Sequence, residues 1–188
     1  MFMNRFRRLY GPNSYATELC IDPLALLPQG GRWLDVGCGT GVAVREAARK
    51  RPDVTLVAVD LEAGFVTGEA PPSNLKFIQA DVTRLALAGT FDLVTGVHVL
   101  HFVADQQAVI RRLAALAGTA GRLFANLDPN DIWLGESWGT ARPLGGAPFV
   151  VSAPAEWGAY VGSRSDRGGN RQGVESCQSL YRQGAKTM

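Results

Sequence analysis

The chain has 188 residues, 46% of them hydrophobic, and a formal net charge of +2, which predicts one domain with ample apolar content for a core. Residues 163–188 carry a net +3 and the remainder −1, so the basic face expected of a nucleic-acid binder is not visible on the folded part. No stretch approaches the roughly 20 apolar residues of a membrane span, and no apolar signal core follows the basic start, so we expect a cytoplasmic protein.

Residues 1–30 are expected to form an amino-terminal helical lid. The stretch 13–28 has helix-like spacing that is broken by Pro23, and it could pack across the top of a sheet. Five short, nearly continuous apolar runs follow, as is typical of strands that are covered on both faces. They lie at residues 32–36, 54–60, 75–81, 91–97 and 121–128.

Helical patterns separate these runs. Residues 41–52 predict a helix that is stopped by Pro52. Residues 104–118 predict the clearest helix, with Asp105 as N-cap, Gly118 at its end and Val109, Leu113 and Leu116 at helical spacing. The crossovers at 61–74 and 82–90 allow only a short helix or about two turns. Alternating strands and helices predict an α/β fold with a doubly wound, mostly parallel sheet.

The pattern changes after Asp128. Residues 129–162 carry three tryptophans among many Gly and Pro residues, with one credible strand at 148–153. Residues 163–188 are poor in apolar side chains and are expected to be a disordered, basic tail. The predicted organisation is a domain over 1–162, with a cofactor-binding core at 31–128 and a substrate-side part at 129–162.

A glycine-rich turn, "LDVGCGTG", follows the first predicted strand. Gly37 and Gly39 match the start of the dinucleotide fingerprint, but its third glycine position is Val42, and the extra glycine comes one place early at Gly41. A phosphate-binding loop is excluded more clearly, because no Gly-Lys-Ser/Thr follows. The turn therefore favours a ligand without phosphates.

This turn resembles the Asp/Glu-x-G-x-G-x-G signature of class I S-adenosylmethionine-dependent methyltransferases. Three further features match that family in order: Asp60 ends the second strand in "VAVD", Asp81 ends the third in "QAD", and "FDLVTGVHVLHFV" resembles the fourth-strand motif. The resemblance covers about 100 residues and implies a Rossmann-like fold. It also implies S-adenosylmethionine as cofactor, with S-adenosylhomocysteine as product and no metal.

The resemblance implies a role for each matching residue on the cofactor. Gly37 and Gly39 would let the backbone approach the methionine portion, with Cys38 as a small filler between them. Asp35 could orient the loop or neutralise the cofactor's ammonium group. Asp60, followed by Leu61, would accept hydrogen bonds from both ribose hydroxyls.

The third and fourth strands would complete the pocket. Asp81 would accept from the adenine amino group and the backbone N–H of Val82 would serve the ring nitrogen, while Gly96 and Val97 would pass beside the cofactor. Two structural alternatives to cofactor binding stay open. Asp60 could be a solvated turn residue, and Asp81 could cap the short helix after it.

His98 and His101 are candidate catalytic residues. Methyl transfer to an O–H or N–H acceptor can require a general base, and both histidines follow the fourth strand near the expected methyl donor. His98 could instead only line the pocket, and His101 could only pack. These are the only two histidines, and the three cysteines are widely spaced, so no metal centre is expected.

Four aromatic residues could form an acceptor pocket, although ordinary packing would explain them equally well: Tyr10, Tyr15, Trp133 and Trp138. The chain has "GVHV" where amino-methylating DNA enzymes of similar fold carry [N/D/S]-P-P-[Y/F], so a small-molecule acceptor is expected, with no nucleic acid and no membrane as partners.

The family's sheet ends in a β-hairpin that this sequence could leave incomplete. An exposed sheet edge would favour a homodimer. Three hypotheses follow: a small-molecule methyltransferase, a methyltransferase-like protein that binds the cofactor but is inactive or needs a partner chain, and, more remotely, a nicotinamide-dependent oxidoreductase.

Overall fold

The computed structural model describes residues 6–65 and 69–127, together with the backbone of three two-residue strands, 133–134, 137–138 and 149–150. The tail at 163–188 and the predicted domain boundary at 162 lie outside the described residues. The five predicted strands are present as β1 (Arg32–Val36), β2 (Thr55–Asp60), β3 (Leu75–Gln79), β4 (Leu93–Gly96) and β5 (Arg122–Leu127). They form the parallel sheet that the alternating pattern predicts.

The order of the strands creates a crevice at one edge of the sheet. β1 pairs with β2 and β4, β2 with β3, and β4 with β5, all in parallel, which gives the order β3-β2-β1-β4-β5. The chain runs outward from β1 in both directions, so β1 and β4 flank the point where the winding reverses. Ligands of such sheets bind outside the carboxyl ends of the strands at this point.

Alternate residues of each strand face two separate apolar cores. Trp33, Leu56 and Leu93 join one core, which contains α2 (Val42–Lys50) and the five-residue helix α1 (Tyr15–Leu19). Leu34 and Val94 join the other core, under α3 (Gln106–Ala117). The prediction of a sheet with helices on both faces is confirmed.

The helices form where caps and stops predict them. The Asp105 side chain accepts from the Ala108 N–H at 2.8 Å and begins α3, and Gly118, at a φ of 66°, ends it. α3 buries Val109, Leu113 and Ala117, whereas Leu116 is only partly buried.

The amino-terminal helix is shorter than its predicted segment. Ser14 caps α1, and Cys20 ends it at a φ of 55°, three residues before Pro23. The helix contacts β5, since the Asn126 side chain donates to the Glu18 carbonyl at 3.2 Å. A single turn of this length is not stable alone, so its contacts with the sheet hold it in place.

The described part of the carboxyl-terminal region adds three short strands. β6 (Trp133–Leu134) and β7 (Ser137–Trp138) pair with each other, and β8 (Phe149–Val150) adds to β5 in the antiparallel sense. β8 lies inside the strand predicted at 148–153. Over the residues that are described, no helix is both long and apolar enough to cross a membrane.

Candidate active site

The glycine turn after β1 is tied to the end of β2. The backbone N–H groups of Gly37 and Cys38 donate to the Val59 carbonyl at 2.8 and 3.1 Å. The N–H of Gly39 donates to Oδ2 of Asp60 at 2.7 Å. The turn and the carboxylate therefore form one hydrogen-bonded unit at the carboxyl edge of the sheet.

Two of the glycines are required by the chain's own packing. Gly37 has a φ of 72°, and a Cβ there would lie 3.0 Å from Cβ of Val99. Gly41 has a φ of 77°, and a Cβ there would collide with the ring of Phe77. L-residues rarely adopt these backbone angles, so a side chain would be strained at either position even before a ligand is considered.

Asp60 keeps capacity for a ligand while it holds the turn. Its Oδ1 accepts from the Glu62 N–H at 3.1 Å, and its Oδ2 accepts from Gly39. Each carboxylate oxygen has two acceptor positions, so both oxygens can still accept a hydroxyl. The residue next in the chain, Leu61, is 67% exposed, an unusual amount for a leucine beside a candidate pocket.

Asp35 is the centre of a buried hydrogen-bond chain. It is 1% exposed, and its two oxygens accept from the hydroxyls of Tyr15 at 2.8 Å and Thr95 at 2.5 Å. Trp33 Nε1 in turn donates to Thr95 Oγ1 at 2.8 Å. Burial raises the pKa of Asp35 to about 7; the two hydrogen bonds lower it, and the nearby charge of Asp60 raises it again.

This buried carboxyl should make the stability of the fold depend on pH. Between about pH 4 and 7 the unfolded chain ionises at Asp35 while the folded chain keeps the proton, so the free energy of unfolding should fall as pH rises, by about 4 kcal/mol at most. Asp53 and Asp81, whose pKa values are lowered, act in the opposite sense but at lower pH. Urea unfolding of the wild type and Asp35→Asn from pH 5 to about 8 measures the difference; parallel curves would contradict the expectation.

Asp81 caps the short 3₁₀ turn Val82–Arg84. Its Oδ1 accepts from the Thr83 N–H at 2.8 Å, and this bond lowers the pKa of Asp81. The capping alternative is thus what the structure shows, and an adenine contact for Asp81 and Val82 stays a prediction. Cys38 is 4% exposed, and burial raises the pKa of its thiol far above the usual range, which fits a filler and not a nucleophile.

The two histidines lie together beyond β4 and meet a carboxylate from α1. His98 Nδ1 lies 3.3 Å from His101 Nε2, and His98 Nε2 lies 3.3 Å from Glu18 Oε2. The other oxygen of Glu18 pairs with the Arg7 guanidinium at 3.0 Å. The backbone N–H of His98 donates to Asn126 Oδ1 at 3.3 Å. Four polar side chains thus form one line from the amino-terminal segment to the crevice.

The remaining predicted site residues are divided between the pocket and other places. Gly96 and Val97 are buried at the end of β4. Tyr15 is buried against Asp35, and Tyr10 is 37% exposed and donates to Asp22. The backbones of Trp133 and Trp138 pair across β6 and β7, but their side chains lie outside the described residues. Within 6–65 and 69–127, no three or more His, Cys, Asp or Glu side chains are grouped to hold a metal ion.

Several residues of this site were not predicted from the sequence, among them Glu18, Thr95 and Asn126. Thr95 and Asn126 are 0% exposed and stand in the apolar strands "LVTG" and "LFANL". A polar residue inside such a strand must find a hydrogen-bond partner, so their positions were a usable signal. Glu18 carried no comparable signal, because its partner His98 is 80 positions away in the chain.

Comparisons with known proteins point to one family. A family model described as a methyltransferase domain matches residues 10–155. The ubiquinone biosynthesis O-methyltransferase of Xanthomonas axonopodis is 40% identical over 106 residues, which are 53% of this chain and 44% of that protein. An uncharacterized methyltransferase of Mycobacterium tuberculosis is 32% identical over 149 residues, 71% of this chain and 73% of that protein.

Solved structures share the fold. PKMT2 from Rickettsia typhi, in complex with AdoHcy, has a TM-score of 0.51 and 21% identity over 62% of this chain and 26% of that one. Coclaurine N-methyltransferase, bound to N-methylheliamine and SAH, has a TM-score of 0.51 and 21% identity over 65% and 39%. The chain spans about half the length of the ubiquinone biosynthesis O-methyltransferases it matches. With the family model, the Mycobacterium relative and the parallel sheet in agreement, the chain belongs to the class I S-adenosylmethionine-dependent methyltransferase family.

Proposed function

We propose that this chain binds S-adenosylmethionine in the crevice and transfers its methyl group to a small-molecule acceptor with a reactive O, N or C atom. The observation that carries the proposal is the unit of the glycine turn and Asp60, joined by the 2.7 Å bond from Gly39. It presents a carboxylate with spare acceptor capacity beside backbone that can be approached closely. A nucleoside with a ribose diol fits these groups.

The residues around the turn fit the rest of such a cofactor. Asp35 supplies a buried carboxyl at the end of β1, where a bound cationic amino group would favour its ionised form. The exposed side chain of Leu61 offers an apolar surface next to Asp60 for a base. When bound, the cofactor supplies an activated methyl group on a sulfonium. The protein then has to align the acceptor and exclude water.

The acceptor atom is proposed to be an oxygen. The ubiquinone biosynthesis O-methyltransferases that resemble this chain support that choice. A hydroxyl must lose its proton as the bond to the methyl carbon forms, and the two histidines that follow β4 have the chemistry to accept it. The expectation of a small-molecule acceptor rests on the absence from the sequence of the DNA-enzyme motif at this position.

Titration calorimetry with S-adenosylmethionine, S-adenosylhomocysteine and NADH tests cofactor choice. We expect the first two to bind and NADH to give no heat of binding; NADH binding alone would overturn the proposal in favour of an oxidoreductase. Transfer of a labelled methyl group to a panel of small phenols, amines and carboxylates then tests turnover. Binding without transfer to any member would favour the second candidate, a cofactor-binding protein that is inactive or needs a partner chain.

A further inference from the structure

Glu18 brings a carboxylate to the histidines from the amino-terminal helix. It comes from α1, its side chain is 10% exposed, and it lies between the Arg7 guanidinium and the His98 ring. His98 in turn lies between Glu18 and His101. The four side chains form a line, which we call the histidine relay: Arg7, Glu18, His98 and His101.

The hydrogen-bond chemistry of the relay favours one placement of its protons. A carboxylate paired with Arg7 can only accept, so His98 must carry its proton on Nε2 and donate it to Glu18. When both rings are neutral, Nδ1 of His98 is an acceptor, and His101 donates to it from Nε2. This arrangement puts the lone pair of His101 on Nδ1, and both imidazoles are held in one tautomer.

The backbone of His98 gives an independent sign that this arrangement is functional. Its φ of 57° lies in the left-handed region, which costs a non-glycine residue about 1 kcal/mol. The hydrogen bond from its N–H to Asn126 holds the strained turn in place. Residues kept in such conformations are concentrated at active sites, because the surrounding structure must over-determine them.

We propose that Glu18 is a positioning residue that makes the histidine relay the proton acceptor for methyl transfer to a hydroxyl group, most simply a phenol. The proposal rests on the proposed function. The hydroxyl proton passes to Nδ1 of His101 while the proton on Nε2 of His101 passes to Nδ1 of His98. As the oxygen bonds to the methyl carbon, the C–S bond breaks and its electron pair stays on sulfur. The positive charge then lies on His98, 3.3 Å from the Glu18 carboxylate.

The charged groups around His98 suit this transfer. α1 contributes Glu18, the 3₁₀ turn Leu100–Phe102 contributes His101, and β5 contributes the neutral amide of Asn126. Behind Glu18, Arg7 holds the carboxylate in place and balances its charge while the histidines are neutral. A charge arriving on His98 is therefore paired at once, which a lone buried imidazolium would not be.

Glu18→Gln tests the positioning role without changing the shape of the side chain. Arg7 can only donate, so it should take the amide oxygen, which turns the amide NH₂ towards Nε2 of His98. His98 must then accept at Nε2 and move its proton to Nδ1, where it opposes the N–H of His101. Because the chain has only two histidines, their imidazole nitrogen chemical shifts can be assigned to these two rings. We expect Nε2–H on both rings in the wild type and Nδ1–H on His98 in Glu18→Gln.

Glu46→Gln is the matched control. Glu46 also tethers the amino-terminal segment, through Arg8 at 2.7 Å and the N–H of Leu9 at 3.0 Å, but it belongs to α2, and neither bond involves a side chain of the relay. Its substitution should leave both tautomers unchanged. The proposal is overturned if Glu18→Gln keeps the wild-type tautomers, or if Glu46→Gln changes them to the same extent.

Methyl transfer gives the second readout. At about pH 8, para-nitrophenol is largely ionised and needs no base, whereas para-methoxyphenol keeps its proton. Glu18→Gln should lower kcat for para-methoxyphenol about tenfold and leave kcat for para-nitrophenol within about twofold. An equal loss on both phenols would reduce Glu18 to a structural role and overturn the proposal. If the wild type methylates neither phenol, the oxygen-acceptor proposal fails on that result, and the tautomers still decide the positioning role of Glu18.

Discussion

Replacing Thr95 by valine should lower the free energy of unfolding by about 3 kcal/mol. The hydroxyl of Thr95 accepts from Trp33 Nε1 and donates to Asp35 Oδ1, and all three residues are at most 1% exposed. Valine keeps the shape but leaves a buried donor and a buried acceptor without partners, each at a cost of about 1–3 kcal/mol. The loss should be larger above pH 7, where Asp35 ionises and its missing donor matters more.

Urea unfolding at about pH 6 and 8 measures this effect. Thr55→Val is the matched control. It is the same substitution in the same sheet, but Thr55 is exposed at the start of β2. The control should stay within about 0.5 kcal/mol of the wild type. If Thr95→Val behaves like the control, the buried chain around Asp35 does not stabilise the fold.

Replacing Asp60 by alanine should weaken the binding of S-adenosylhomocysteine about 100-fold. Two proposed hydrogen bonds from the ribose hydroxyls to a carboxylate are each worth about 1.5–3 kcal/mol, and a factor of 100 corresponds to about 3 kcal/mol. The substitution also removes the acceptor that ties Gly39, so the glycine turn loses one of its anchors.

Titration calorimetry checks this prediction, with Asp53→Ala as the control. Asp53 stands just before the other end of β2, where it accepts from Arg51 and from the Gly30 N–H. The Asp53→Ala substitution should lower the stability of the fold but leave the affinity for S-adenosylhomocysteine within about twofold of the wild type. The reason is that Asp53 lies roughly 20 Å along the strand from Asp60. An Asp60→Ala protein with wild-type affinity would remove the ribose role.

The fold could be predicted from sequence because its signals are local. A short apolar run rich in β-branched residues, such as "TLVAVD", indicates a strand from its own composition, and α3 carries its own cap at Asp105 and its own stop at Gly118. For this reason the structure confirmed the five strands and their parallel pairing. It also confirmed the two longer helices, α2 and α3. The length of α1 was harder to predict, because five residues between Ser14 and Cys20 depend on contacts with β5 and not on their own periodicity.

The placement of three carboxylates at one edge of the sheet could also be predicted from the sequence, whereas their roles on a cofactor stay predictions. Parallel strands end at one edge, so Asp35, Asp60 and Asp81 had to lie near one another once the strands were identified. The partners of these residues could not be found in that way. The amino-terminal segment folds back over the sheet, and no periodicity in the sequence encodes this path. The path brings Tyr15 to Asp35 and Glu18 to His98.

The short helix α1 connects Asp35, at the end of β1, with His98, which follows β4. Tyr15 and Glu18 are three positions apart and so share a face; the first holds Asp35 and the second holds His98. A helix of this length has no stability of its own, so breathing motions that release one contact will release the other. We therefore expect one local opening to release both contacts together, and amide exchange at residues 15–19 would measure its rate.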